Sequence, residues 1–123
     1  MENVTYRYVG RAEYGAVWEM QKRMFNELLE AKKAGIGAGQ TLLMVEHPHV
    51  YTLGKSGHES NMLVSDEFLR SIGASYFHTD RGGDITYHGY GQLVGYPILD
   101  LERLGLSLKE YVWTVEECVI RTV

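Results

Sequence analysis

The chain has 123 residues, 45% of them apolar and 23% charged, and a formal net charge of −4. This length predicts a single domain over residues 1–123, and the negative charge argues against a nucleic-acid partner, which usually meets a basic face. No apolar run has the length of a transmembrane helix or the pattern of a secretory signal, so no membrane partner is expected. The one cysteine, Cys118, cannot form an internal disulfide, which favours a cytoplasmic location.

The first half of the sequence predicts a strand, a long helix and two further strands. Residues 4–10 alternate aromatic and polar positions, as a strand does. From about Ala12 to Ala34 the apolar residues recur at the period of a helix, which Gly35 would end. The predicted apolar face of this helix comprises Tyr14, Val17, Trp18, Met24, Phe25, Leu28 and Leu29. After a glycine-rich connector, TLLMVE predicts a buried strand, and HPHVYTLGKSG predicts a loop that contains a short strand.

The second half predicts two helices and two strands around a polar loop. SDEFLRSIG predicts a brief helix that Ser65 caps and Gly73 ends. ASYFHT and QLVGYPILDL predict strands on either side of the loop RGGDITYHG. Ser107 and Glu110 have capping-box spacing and open a final helix. Its predicted apolar face comprises Tyr111, Val112, Val115, Cys118, Val119 and Thr122.

The order and the end of these elements lead to two further expectations. Strands and helices are mixed without regular β-α-β alternation, which predicts a mixed α/β (α+β) domain with a largely antiparallel sheet packed with helices. The apolar stripe of the last helix continues to Val123 without a stop signal. We therefore expect a fold that is incomplete at its C-terminus; a terminal helix that frays at its end is the less favoured alternative.

The polar loop at residues 81–89 is the first candidate for a functional site. Gly82 and Gly83 allow positive φ and let a ligand approach the backbone amides. Arg81 offers several donors to a carbonyl, carboxylate or phosphate group, and Tyr87 and His88 are placed to line the same cavity. A hairpin turn explains the glycines equally well, so these residues alone leave a binding site and a turn open.

The remaining reactive side chains give weaker signals. Glu46, His47 and His49 suggest a metal ion, but no further ligands follow at a recognisable spacing, so a metal site is disfavoured. Alternatively, His47 or His49 lines a pocket at the end of a strand. Lys55, in LGKSG, lacks the spacing of a phosphate-binding loop.

Cys118 and the two tryptophans are expected in the core. Cys118 lies on the apolar face of the last helix, which favours a buried, inert thiol over a nucleophile. Trp18 and Trp113 also lie on helix faces, and core packing is favoured over a cofactor platform for both.

Three segments taken together carry a family resemblance. VEHPHVYTLGKSG, RGGDITYHGYGQLVGYPILDL and SLKEYVWTVEECVIRTV, in this order and spacing, resemble the lipoyl(octanoyl) transferase family, also called octanoyltransferases or lipoate-protein ligase B. The resemblance covers essentially the whole chain. It implies a fold like that of biotin and lipoate ligases, no ATP and no other cofactor. It also implies transfer of an octanoyl group from octanoyl-acyl carrier protein to a lysine of a lipoyl domain, in 2-oxoacid dehydrogenase complexes and in the glycine cleavage protein.

The resemblance also implies a substrate-binding loop. Its members are Arg81, Gly82, Gly83, Asp84, Ile85, Thr86, Tyr87 and His88. Where the family pattern reads G-P-G-Q, this chain has residues 89–92, GYGQ, and Tyr90 lacks the fixed φ of a proline.

The chain also differs from the family pattern in its catalytic residues. Family members form a thioester on a cysteine beside a lysine, and no cysteine or lysine of this chain matches those motifs. The resemblance therefore implies the N-terminal part of a single octanoyltransferase catalytic domain. We expect it to be inactive alone, with no catalytic residue of its own, and to self-associate through exposed edges.

Two other functions remain open. One is a non-catalytic module that binds an acyl chain or a carrier protein, which a finished and packed last helix would favour. The other is an ATP-dependent lipoate or biotin ligase, which is disfavoured because no adenylate-binding motif is evident.

Overall fold

A computed structural model describes residues 2–123, and strands and helices alternate irregularly along them. The elements are β1 (Val4–Arg11), α1 (Tyr14–Lys33), β2 (Gln40–Glu46), β3 (Val50–Leu53), α2 (Asp66–Ser71), β4 (Ser75–His78), β5 (Ile85–His88), β6 (Val94–Ile98) and α3 (Leu108–Thr122). A short 3₁₀ turn, Glu59–Asn61, precedes α2. None of the helices in this described part is both long and apolar enough to cross a membrane.

The strands form two mixed three-stranded sheets, which confirms the mixed α/β class. The strand orders are β1-β2-β6 and β4-β3-β5. Within residues 2–123, two pairings are parallel (β1 with β2, β3 with β4) and two are antiparallel (β2 with β6, β3 with β5). Fewer of the strand pairings are antiparallel than the sequence predicted. The reason is that α1 and α2 are crossover helices, each of which connects two parallel strands.

The core contains buried apolar residues from α1, β2, β3 and α2. Strand β2 buries alternate residues, and Leu43 and Val45 have no exposed surface. Of the predicted apolar face of α1, only Leu28 and two residues of the first turn, Tyr14 and Val17, are buried. Phe25 is largely exposed, so fewer residues of α1 are buried than the apolar periodicity of its sequence predicted.

Helix α3 is capped as predicted but is not packed as predicted. The Glu110 amide donates to the Ser107 hydroxyl at 3.2 Å, and the Ser107 amide donates to the Glu110 carboxylate at 2.7 Å. No residue of α3 is buried. Trp113 is 61% exposed and Cys118 is also exposed, so the core positions predicted for both were wrong. Their periodicity is helical, but the described chain places nothing over that face.

Four of the nine residues in the predicted polar loop form a strand. Residues 85–88 form β5, which pairs antiparallel with β3 and sets Thr86 opposite Thr52 and Tyr87 opposite Tyr51. The β-branched and aromatic residues of ITYH favour this extended structure. The true loop therefore covers residues 79–84, between β4 and β5.

Candidate functional site

The guanidinium group of Arg81 holds this loop against the end of β3. Its Nη2 atom donates to the carbonyl oxygens of Thr52 and Asp84, both at 2.7 Å, and Nε donates to Thr52 Oγ1 at 3.1 Å. Nη1 donates to the Gly82 carbonyl at 2.7 Å. Most of the Arg81 donors thus bind protein acceptors. The position of this side chain is fixed before any ligand arrives.

The glycines of the loop allow two backbone segments to touch. A Cβ added at Gly54 would collide with the carbonyl oxygen of Gly83, so the segment after β3 and the loop pack main chain against main chain. Gly83 adopts φ +88°, which only glycine adopts easily. Gly82 is exposed, with open space where a Cβ would lie, and leaves one face of the backbone accessible.

Asp84 anchors the other side of the loop. Its carboxylate accepts from the backbone amide of His58 at 3.3 Å and from the side-chain amide of Asn61. The backbone of the loop also bonds to residues after β3, because the Lys55 amide donates to the Arg81 carbonyl at 2.9 Å. Arg81 and Asp84 therefore shape the segment between β3 and α2. Sequence reasoning did not identify Asn61 or Thr52, which carry no motif.

His47 is a buried polar residue at the end of β2. It has no exposed surface, and its Nδ1 atom lies 2.8 Å from the Ala12 carbonyl oxygen. Because a carbonyl oxygen only accepts, Nδ1 donates, and in a neutral ring Nε2 accepts from the Tyr96 hydroxyl at 2.8 Å. Burial raises the pKa of Tyr96, which keeps this hydroxyl protonated as the donor. Both ring nitrogens of His47 thus have protein partners.

His88 lies half-buried beside His47. Their ring centroids are 6.1 Å apart. Burial lowers the pKa of His88, a hydrogen bond to Gln92 raises it, and the nearby His47 and Arg81 lower it further. The neutral form of His88 is therefore favoured at neutral pH. In that state one nitrogen donates and the other accepts, so the ring can bind a polar group without a charge.

Tyr87 joins a different cluster. Its hydroxyl is hydrogen-bonded to Nδ1 of His49, and the two rings are stacked at 5.9 Å with 21° between their planes. The ring of Tyr51 lies 5.1 Å away on β3. Tyr87 keeps 36% of its surface exposed, so this cluster borders solvent.

Consecutive residues of a strand point to opposite faces, so Tyr87 and His88 have different neighbours. The single cavity predicted for both side chains was therefore wrong. Strand β5 instead presents a histidine to the covered interior and a tyrosine to an open aromatic surface. Ile85 and Thr86 pair with Leu53 and Thr52 in the ladder.

The described residues assemble no recognisable metal centre. Within positions 2–123, no three residues among the His, Cys, Asp and Glu side chains stand close enough to hold a metal ion. The site consists instead of a fixed loop, a buried histidine beside a half-buried one, and an exposed aromatic stack.

Comparison with known proteins agrees with the resemblance seen in the sequence. The chain is 56% identical over 108 residues to an octanoyltransferase of Bacteroides fragilis, covering 88% of this chain and 49% of that protein. It is 47% identical over 121 residues to an octanoyltransferase of Parabacteroides distasonis (98% of this chain, 55% of that protein). It is 45% identical over 123 residues to one of Solibacter usitatus (100% and 54%).

The chain therefore spans about half the length of the curated relatives it matches. Residues 13–123 match the family described as Lipoyl protein ligase A/B catalytic domain. Because this match covers most of the chain, the protein belongs to the lipoyl protein ligase A/B catalytic-domain family.

Proposed function

We propose that this protein takes part in octanoyl transfer during lipoate biosynthesis, and that residues 81–88 contribute to its acyl site. The donor would be octanoyl-acyl carrier protein, and the acceptor would be a lysine of a lipoyl domain in 2-oxoacid dehydrogenase complexes or the glycine cleavage protein. Family membership and the three relatives named octanoyltransferase support this function. The lone cysteine favours the reducing cytoplasm as the compartment.

The observation that carries the acyl-site proposal is the fixed loop next to β3 and β5. Arg81 and Asp84 are held by protein partners, so the exposed backbone of Gly82 is pre-organised rather than mobile. Pre-organised walls lose little entropy when a ligand binds. The strand that follows the loop carries Tyr87, whose partly exposed ring offers apolar surface to a methylene chain.

The proposed role of these residues is to bind and orient, not to form the thioester. A nucleophilic cysteine needs a neighbouring group that stabilises the thiolate. The only thiol of the sequence, Cys118, is exposed on α3. Its side chain lies outside the loop, the two neighbouring histidines and the aromatic stack. We therefore expect this chain alone to bind an acyl group weakly and not to transfer it.

Transfer is tested by incubating the chain with octanoyl-acyl carrier protein and a lipoyl domain, and by measuring the mass of the lipoyl domain. A full-length relative serves as the positive control. We expect the octanoyl mass increment only with that relative. Modification by this chain at a comparable rate would contradict its proposed inactivity.

Acyl binding is tested separately by NMR titration of the chain with octanoate. We expect shifts of the Gly82 and Tyr87 amide signals, and no shift at Tyr6, an exposed tyrosine of β1. A Tyr87→Ala variant should weaken binding severalfold, whereas Tyr6→Ala should not. Shifts confined to residues outside 81–88 would contradict the proposed acyl site.

A module that binds the acyl group or its carrier without transfer is the second candidate. The unpacked helix α3 counts against it, because a packed last helix was the feature expected of such a module. The two candidates differ in the full-length protein, where only the first predicts octanoylation of the lipoyl domain.

A further inference from the structure

The turn after β5 has a geometry that normally favours proline. The Gln92 amide donates to the Gly89 carbonyl oxygen at 3.2 Å, and Gly91 adopts φ +90°. A bond between the first and fourth residues with positive φ at the third defines a type II turn, whose second position favours proline. Tyr90 occupies this second position and does not fix φ. Closure of the turn therefore depends more on contacts made by its side chains.

Those contacts come from the paired ends of β1 and β2. The guanidinium carbon of Arg11 lies 4.5 Å from the centroid of the Tyr90 ring, within the range of a cation–π contact. The carboxylate of Glu46, the strand partner of Arg11, accepts from the Gly91 amide at 3.1 Å. Arg11 Nε also lies 3.9 Å from this carboxylate. One strand pair thus contacts both central residues of the turn.

The same ring continues into the aromatic stack described above. The Tyr90 centroid lies 6.3 Å from that of His49, which is stacked on Tyr87. The order Arg11, Tyr90, His49, Tyr87 therefore connects the first sheet to the second through side chains. A displacement of the turn would remove one side of the support around His49.

We propose that Arg11 and Tyr90 form a cation–π clamp that closes the turn at residues 89–92 and positions the stacked rings of His49 and Tyr87. Tyr90 is then a positioning residue, and its side chain supplies the restraint that a proline ring would give. The effect on acyl binding rests on the proposed function, whereas the clamp itself does not.

The clamp is tested by a double-mutant cycle on the full chain, with Arg11→Met and Tyr90→Leu. The readout is solvent exchange of the Gln92 amide proton, measured by NMR, because this proton closes the turn. We expect Arg11→Met to accelerate exchange about 2- to 5-fold, the range that an exposed cation–π contact provides. In the Tyr90→Leu background, Arg11→Met should have no further effect.

Three variants control for the removed charge, for rescue by another cation and for the backbone restraint. Arg7→Met removes the same charge from an exposed position of the same strand and should leave Gln92 exchange unchanged. Arg11→Lys keeps a cation and should restore most of the protection. In a Tyr90→Pro chain the backbone restraint replaces the clamp, so Arg11→Met should lose its effect.

The proposal is overturned if Arg11→Met has no effect, or if its full effect persists in the Tyr90→Leu background, since Arg11 would then act through Glu46. The positioning role is overturned if octanoate shifts the Tyr87 signal equally in the Arg11→Met and Arg7→Met chains. A chain that binds no octanoate contradicts the proposed function, while the exchange cycle still decides whether the clamp exists.

Discussion

The two neighbouring histidines of the site differ in how their ring nitrogens are satisfied. His47 bonds to Ala12 through one nitrogen and to Tyr96 through the other, and no part of it reaches solvent. His88 is half-buried, and burial lowers its pKa more than the interaction with the Gln92 side chain raises it. Burial therefore opposes the protonation of His88 in the folded chain. His88 couples folding to pH, because its charged form is disfavoured only in the folded chain.

The pH dependence of stability tests this coupling. The pKa of His88 in the folded chain lies below its usual value of 6.5. The stability that the neutral His88 contributes is therefore fully present above pH 6.5 and is lost as the pH falls through the folded pKa. We expect His88→Gln to lose less free energy of unfolding than the parent chain between about pH 7 and pH 5. Urea unfolding at several pH values measures this difference.

A matched variant, His78→Gln, removes an exposed histidine of β4 and should keep the pH dependence of the parent chain. Equal pH dependence in His88→Gln and the parent chain would show that the histidine titrates normally in the folded protein.

Helix caps were predicted well because their partners are close in sequence. The Ser65 hydroxyl accepts from the Phe68 amide at 3.1 Å, and the Ser107 capping box is complete. Both signals lie within three residues and need no knowledge of the fold. Gly35 and Gly73 adopt positive φ after α1 and α2, as expected of glycines that end helices.

Strand β5 and the interior of the site were predicted less well, because their partners are distant in sequence. Arg81 was identified as a donor, but its acceptor Thr52 is 29 residues away. His47 was considered as a metal ligand or pocket residue, while its partner Tyr96 is 49 residues away on β6. A single sequence shows which residues are polar, but only strand pairing determines which acceptors they meet.

The capping box is expected to determine the helicity of α3. Since no residue of α3 is buried, tertiary packing adds little to its stability. Replacing an N-cap serine by alanine costs about 1 kcal/mol. We therefore expect Ser107→Ala to reduce the helical Cα chemical shifts over residues 108–113. Ser65→Ala removes a similar cap from α2 and should leave the α3 shifts unchanged; equal loss in both variants would contradict a local role for Ser107.

Helix α3 exposes several large apolar side chains. The exposed apolar residues of α3 are Leu108, Val112, Trp113, Val115, Val119 and Ile120. Those at positions 108, 112, 115 and 119 follow the period of one helical face, so their surface is contiguous. Contiguous apolar surface of this kind usually marks a contact with another protein surface. In a solution of this chain alone, the available apolar partner is the same face of a second copy.

Self-association through α3 is therefore expected to depend on concentration. A symmetric dimer would bury the exposed apolar face of α3 in each copy against the same face of the other copy. Removal of apolar surface from water drives such contacts. Sedimentation velocity should show a rising average mass with concentration, and Val112→Lys combined with Val119→Lys should restore the monomer. Ile36→Lys combined with Leu63→Lys introduces the same charge at exposed apolar positions outside α3 and should not disperse the dimer. A parent chain that stays monomeric at high concentration would show that the exposed face of α3 does not bind itself.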